Sequence, residues 1–330
     1  MYMNEYISDF TNHLRDSMKI GNNNFLKTPS KKIKSVLLCG LGGSGIGGTI
    51  LTNLISRKAN IPIISTKDYS IPNFVNESTL VIANSYSGNT EETISALKKC
   101  KTRNAEITII TSGGELKTIA EENNYNNAII PKGHPPRAMF GYAFTQLFYI
   151  LNHYQIIDAS FKSNFESAIN LLDSEKSNIQ KEALTIAKKL YKKTPVIYVA
   201  NGFEGVAIRF RQQLNENSKM LAWHHVIPEM NHNELLGWRT NTTNLAVVFF
   251  RNKSDFNRTQ VRMDINTQVI SKYTKNITEI YSKGESLIEN TLYHINMGDW
   301  ISWYLSEMNN VDAIEIDVIN FLKKELSKIE

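Results

Sequence analysis

Only two cysteines, Cys39 and Cys100, occur in 330 residues. A disulfide framework and a cysteine-based zinc site are therefore excluded, and a reducing compartment is the expected one. Long hydrophobic runs are also missing. The longest apolar-leaning stretch, 139–151, is too short to span a bilayer and reads as a buried or interface helix. The first nineteen residues are amphipathic and lack the apolar centre of a secretion signal. Both absences point to a cytoplasmic protein with no membrane contact. Charge of one sign is scarce too: 37 basic residues against 32 acidic ones leave a scattered net charge of +5. The densest basic run, 27–34, reads as a solvated face, and no basic stripe with interleaved aromatics exists to bind nucleic acid. The small positive excess suits an anionic small substrate.

What is present is an ordinary globular balance, 42% hydrophobic and 21% charged, in a chain long enough for two domains. From about residue 33, short apolar runs alternate with longer amphipathic ones. Strands are expected at 36–39, 61–65, 79–84, 106–111 and 127–130. Helices are expected at 45–56, 91–101, 115–123 and 136–154, the last opening with proline in its first turn. A charged helical stretch at 164–193 bridges to a second series. There, strands at 195–200, 245–251 and 277–282 alternate with helices at 206–214, 256–273, 287–308 and 313–329. Such alternation makes a mainly parallel sheet with helices on both faces. The strand–glycine–helix openings at 39–48 and 200–210 read as a degenerate internal repeat. The fold class is therefore α/β, with two similar doubly wound domains at 1–155 and 156–330.

Two segments of the first half suit an anion. Gly-Leu-Gly-Gly-Ser-Gly-Ile-Gly-Gly at 40–48 joins a strand to a helix. Its glycines, Gly43 among them, let the backbone approach an oxyanion, the helix start offers unpaired N–H donors, and Ser44 adds a hydroxyl. Ser-Tyr-Ser-Gly-Asn-Thr at 85–90 places Ser85, Ser87 and Thr90 around a second such turn. These hydroxyls could instead cap a helix. Gly40, Gly42 and Gly45 also match the dinucleotide fingerprint, which makes a nicotinamide-dependent oxidoreductase the rival reading. The acidic residue it needs would have to be Asp68, one turn beyond the second strand, and the Ser/Thr loop would have no part in it.

The two loops together resemble the sugar isomerase (SIS) domain, and more closely the bifunctional phosphoglucose/phosphomannose isomerase family of bacteria and archaea. Gly-His-Pro-Pro-Arg at 133–137, Gln-Leu-Asn-Glu-Asn-Ser-Lys at 213–219 and Pro-Glu-Met-Asn-His-Asn-Glu at 228–234 carry the resemblance further. It covers most of residues 35–325. It implies a dimeric isomerase that interconverts glucose 6-phosphate, and mannose 6-phosphate, with fructose 6-phosphate. Ser44, Ser85, Ser87 and Thr90 would bind the phosphate and Arg137 would face the sugar oxygens. Glu216 would move a proton between C1 and C2, and His232 of the partner subunit would open the ring. A C-terminal lysine, Lys323 or its neighbour Lys324, would complete the site. The segment Val-Asp-Ala-Ile-Glu-Ile at 311–316 departs from the Val-Asp-Pro form of the family, so the C2 epimer is not assigned.

This chemistry needs those residue types. One ionised carboxylate can take and return the proton through a cis-enediol. A fixed guanidinium stabilises the charge gathered on the enediol oxygens. A histidine titrating near neutrality suits ring opening, a role for which His134 is the understudy. No cofactor is needed. No metal is expected either, because His224, His225 and His232, with Glu229 and Glu234, match no familiar helical zinc spacing. Trp223, Trp238, Trp300 and Trp303 read as core or interface anchors. A phosphosugar-binding regulator without turnover would share the cradle but has no use for Glu216 or His232.

Overall fold

The computed structural model describes residues 2–29, 31–56, 58–240 and 244–329; Met1 and Ser30, within stretches considered above, lie outside them. The apolar runs of the first half become β1 (Ser35–Cys39), β2 (Ile63–Thr66), β3 (Thr79–Asn84), β4 (Glu106–Thr111) and β5 (Asn126–Ile129). All pair in parallel, in the order β2-β1-β3-β4-β5. β1 and β3 are neighbours, with Cys39 beside Ala83. Strand order therefore reverses between them, and open α/β sheets bind ligands beyond the carboxyl ends of strands at such a reversal.

The second half repeats the plan with β6 (Thr194–Ala200), β7 (Trp223–Ile227), β8 (Leu245–Arg251) and β9 (Ile277–Tyr281), parallel in the order β7-β6-β8-β9. The two similar doubly wound sheets expected from the pattern are both present. β7 is the strand that the sequence pattern missed. Its Trp-His-His-Val-Ile run lacks a continuous apolar stretch because it is an edge strand, buried fully only at Ile227.

The helices are α1 (Met3–Ser8), α2 (Phe10–Asn23), α3 (Gly42–Ile55), α4 (Glu91–Thr102), α5 (Gly114–Glu122), α6 (Phe140–His153), α7 (Phe161–Leu190), α8 (Glu204–Ser218), α9 (Asn257–Ile270), α10 (Leu287–Asn309) and α11 (Asp317–Leu326). Two boundaries differ from expectation in ways that matter to the site. The helix expected at 136–154 opens as a 3-10 turn, Pro136–Met139, before α6. The helix expected to end at 214 runs on to Ser218, so Glu216 lies in its last turn rather than after it.

One continuous apolar core joins the two sheets. It includes Leu14 of α2, Phe144 of α6, Phe165 of α7, Phe210 of α8 and Ile301 of α10. Phe148 packs against Phe161 and Phe165 at ring-centroid distances of 5.7 and 5.2 Å, which seats the bridging helix α7 on the first half. α10 opens with a capping box. The Ser286 hydroxyl accepts from the Glu289 amide at 3.2 Å, and the Glu289 carboxylate accepts from the Ser286 amide at 2.8 Å. The start of α8 is fastened to α3, where Asn53 Oδ1 accepts from the Gly205 amide at 2.9 Å. Among the described residues no helix is long and apolar enough to cross a membrane.

Candidate active site

The turns after β1 and β3 meet at the reversal point. Gly43 and Ser44 occupy the first turn of α3, at its N–H end. Ser44 Oγ accepts from the Tyr86 amide at 3.0 Å, and Asn84 Nδ2 donates to the Ser44 carbonyl at 2.9 Å. Ser85 Oγ lies 2.7 Å from Thr90 Oγ1 and accepts from the Gly88 amide at 3.2 Å. Ser87 is exposed, its Oγ accepting from the Asn89 amide at 3.2 Å. Thr90 sits at the N-cap position of α4 but makes no side-chain cap there; its hydroxyl turns to Ser85 instead. Gly88 has φ +72°, and a side chain on it would collide with the Gly113 carbonyl, so only glycine fits this turn. Gly43, Ser44, Ser85, Ser87 and Thr90 thus belong to one pair of touching turns.

Arg137 and Glu216 meet from opposite halves of the chain. A Cβ added to Gly43 would lie 3.2 Å from Arg137 Cα, so the glycine lets the Pro136–Met139 turn sit directly on the start of α3. Arg137 is only 3% exposed. Its Nε donates to Asn217 Oδ1 at 2.7 Å, its Nη2 to the Ala313 carbonyl, and its Nη1 lies 3.3 Å from Glu216 Oε2. Burial pulls the guanidinium below its usual pKa, while Glu216 and Asp312 oppose that shift. The Glu216 side chain remains 28% exposed. A cation therefore fixes one side of the carboxylate and leaves it an open approach.

Residues without an assigned role in the sequence hold this pair in place. Arg209 is ion-paired with Asp299 at 2.8 Å, donates to the Arg137 carbonyl at 3.3 Å, and lies over the Phe140 ring at 4.3 Å. Gln213 Nε2 donates to Asp299 at 2.9 Å. Burial pushes the Asp299 carboxyl up, and Arg209 pulls it back. Asn217 Nδ2 donates to Ser302 Oγ at 2.9 Å, and Ser218 Oγ donates to the Ser302 carbonyl at 2.6 Å. The available sequence signal was Asp299 itself, a charge inside the apolar stretch 287–308, because a buried charge requires a partner.

Other candidates are not brought to this pair. His232 lies on the 3-10 turn Glu229–His232 after β7, exposed, with no hydrogen bond or ion pair to Arg137 or Glu216. Lys323 lies on α11, none of whose side chains is buried. His134 is nearer the cradle: its amide donates to Tyr86 Oη at 3.1 Å and its Nδ1 lies 3.2 Å from Tyr6 Oη. His225 pairs with Glu234 at 2.7 Å, and His224 Nε2 lies 3.8 Å from Glu204. No group of three or more His, Cys, Asp or Glu side chains among the described residues is placed to hold a metal ion. Trp238 and Trp300 are buried, Trp303 is half-buried and Trp223 is 38% exposed. Asp68 is exposed, with its carboxylate engaged by Tyr69 and Ser70.

This architecture is that of the two-SIS-domain sugar isomerases. Residues 31–151 match the SIS domain, and residues 179–326 match the bacterial phospho-glucose isomerase C-terminal SIS domain. A bifunctional phosphoglucose/phosphomannose isomerase of Caldicellulosiruptor bescii is 35% identical, over 99% of this chain and 100% of its own. One from Aquifex aeolicus is 31% identical over 89% of this chain and 91% of its own. The chain belongs to the bifunctional phosphoglucose/phosphomannose isomerase family. A D-glucosamine-6-phosphate 4-epimerase of Sulfolobus acidocaldarius is 36% identical over 62% of this chain and 64% of its own. At the level of fold alone, a hypothetical protein from Thermus thermophilus superposes with a TM-score of 0.79 at 15% identity, covering 99% of this chain and 90% of its own.

Proposed function

We propose that the chain interconverts fructose 6-phosphate with glucose 6-phosphate and with mannose 6-phosphate through a cis-enediol. The observation that carries this reading is the 3.3 Å approach of Glu216 to the buried Arg137, whose turn rests on the Gly43 end of the hydroxyl cradle. Division of labour follows: residues 1–155 hold the phosphate and residues 156–330 supply the base.

The phosphate takes the N–H end of α3 and the hydroxyls of Ser44, Ser85, Ser87 and Thr90. Its binding energy orients a sugar whose reacting carbons lie elsewhere. Glu216 removes the proton from C2 of the open aldose. The C–H electron pair forms the C1–C2 double bond, and the carbonyl oxygen takes a proton to give the enediol. Glu216 then returns its proton to C1 as the O2 hydroxyl gives up its proton and becomes the carbonyl, which balances the proton gained by O1. Arg137 stabilises the charge on O1 and O2. Substrate and product have the same composition, so no external oxidant or reductant is needed; the substrate is both. Return of the proton to either face of C2 relates the glucose and mannose epimers.

His232 of the partner subunit opens the ring, which makes the working unit a homodimer, and Lys323 reaches the sugar from α11. The exposure of His232 supports this reading. So does α11, which leaves Val318, Phe321 and Leu322 82%, 65% and 57% exposed on one protomer.

Coupled assays supplying glucose 6-phosphate and mannose 6-phosphate separately, and reading fructose 6-phosphate, test the proposal. Turnover of both is expected. Binding of these sugars without turnover would favour a regulator, and turnover of glucosamine 6-phosphate alone would point to the epimerase chemistry named for the Sulfolobus relative.

A further inference from the structure

Lys219 ends α8 in the left-handed region, with φ +56°. Glycine is the usual residue at this position, because a Cβ is disfavoured there. A lysine kept in that conformation directs attention to its side chain. Its ammonium has three N–H donors, and three backbone carbonyls take them: Glu216 at 2.7 Å, Asp312 at 2.7 Å and Glu315 at 2.8 Å. The first is among the last carbonyls of α8, which lack a helical partner. The other two lie in the turn between α10 and α11, which Asp312 shapes by accepting from the Ile314 amide at 2.7 Å. The carbonyl between them, of Ala313, accepts from Arg137 Nη2. One short turn is thus held by two cations, Arg137 from the first half and Lys219 from the second. The same Lys219 ties that turn to the residue bearing the carboxylate.

We propose that Lys219 is a positioning residue for the isomerisation. It locks the 312–315 turn onto the end of α8, so that the Ala313 carbonyl keeps the Arg137 guanidinium turned toward Glu216. It also fixes the point from which α11 departs. This role rests on the isomerase reading above. It touches no substrate atom, and it leaves the hydroxyl cradle of the first half alone.

Two variants separate positioning from folding. Lys219→Gly removes the ammonium while placing the residue that the left-handed conformation favours, so its melting temperature should stay at or above that of the native chain. Lys219→Met removes the ammonium and keeps the length of the side chain. Both should lower kcat by about 10- to 100-fold, the range of a sub-ångström to 1 Å misplacement of reacting groups. Affinity for sorbitol 6-phosphate, which has the phosphate but no carbonyl, should change by less than about twofold, since the phosphate cradle that orients the ligand is untouched. Lys219→Arg, which restores the charge but not the three-donor point geometry, should recover part of kcat. Hydrogen exchange should rise at the 312–316 amides in the Gly and Met variants. Wild-type kcat in Lys219→Gly would overturn the proposal. A fall in kcat matched by equal losses in sorbitol 6-phosphate affinity and melting temperature would also overturn it, in favour of a merely structural lysine. A native chain that turns over no hexose phosphate would sink the isomerase reading itself and this role with it.

Discussion

Arg137, on the turn before α6, and Glu216, in the last turn of α8, approach to 3.3 Å although 79 positions separate them in the chain. The arginine is held from three directions, so the carboxylate meets a cation that has no freedom to turn away. Arg137→Lys keeps the charge but loses the bonds from Nε to Asn217 and from Nη2 to Ala313. We expect kcat for fructose 6-phosphate to fall about 100-fold with a smaller change in KM. Steady-state kinetics with the coupled assay reads both.

Removing the base itself has a larger effect. Glu216→Gln preserves the shape and the Arg137 contact but cannot accept a proton. Turnover should drop about 1000-fold or more while the fold is kept, with a melting temperature lowered by loss of the Arg137 ion pair. The variant should also stop washing solvent deuterium into C1 and C2 of the sugar, which nuclear magnetic resonance reads directly.

The cradle predicts the opposite kinetic pattern. Ser87→Ala deletes an exposed hydroxyl that, among the described residues, accepts from the Asn89 amide. Loss of one hydrogen bond to a charged phosphate, about 1.5–3 kcal/mol, should raise KM about 10- to 150-fold. A similar fall in affinity for inorganic phosphate, measured as competitive inhibition, should accompany it.

The chain's own grammar revealed the two sheets and both hydroxyl turns, because periodicity and glycine spacing are local signals; Glu216 was singled out only through the resemblance to the isomerase family. The packing that joins them was not local. Asn217 and Ser218 are buried because α8 extends one turn further than its apolar pattern suggests, with polar groups satisfied by Ser302 rather than by solvent. β7 escaped detection because an edge strand needs little apolar surface. The seating of Arg137 on Gly43 is a close approach of two backbones, and no spacing in one segment encodes it.

Asp299→Asn tests the support beneath the site. It leaves the buried Arg209 guanidinium without its counter-ion. Breaking such a pair destabilises by about 3–5 kcal/mol, so urea unfolding should show a clearly lower midpoint. Activity at low temperature should fall less than in Arg137→Lys.

Stability should also decline in mild acid through His294. This ring is fully buried beside Phe250, with Nε2 3.0 Å from Asn252 Oδ1, and burial lowers its pKa from 6.5 to about 3. Below pH 6.5 the unfolded chain takes up the proton and the folded chain does not. The contribution is therefore full above pH 6.5, is lost as pH falls, and levels off near pH 3. His224, lowered to about 4 by burial and by Arg211, adds the same sign over a narrower window. His294→Gln should reduce the slope of unfolding free energy by about 1.4 kcal/mol per pH unit between pH 6 and 4. Urea titrations at a series of pH values measure it.

One structure bears most directly on the whole scheme: the Glu216→Gln protein crystallised with fructose 6-phosphate. The sugar's anionic end should lie within hydrogen-bonding reach of Ser44, Ser85, Ser87 and Thr90, with C1 and C2 against the residue 216 amide and O1 or O2 facing Arg137. A ligand whose phosphate sits away from those hydroxyls, or whose first two carbons lie far from residue 216, would contradict it.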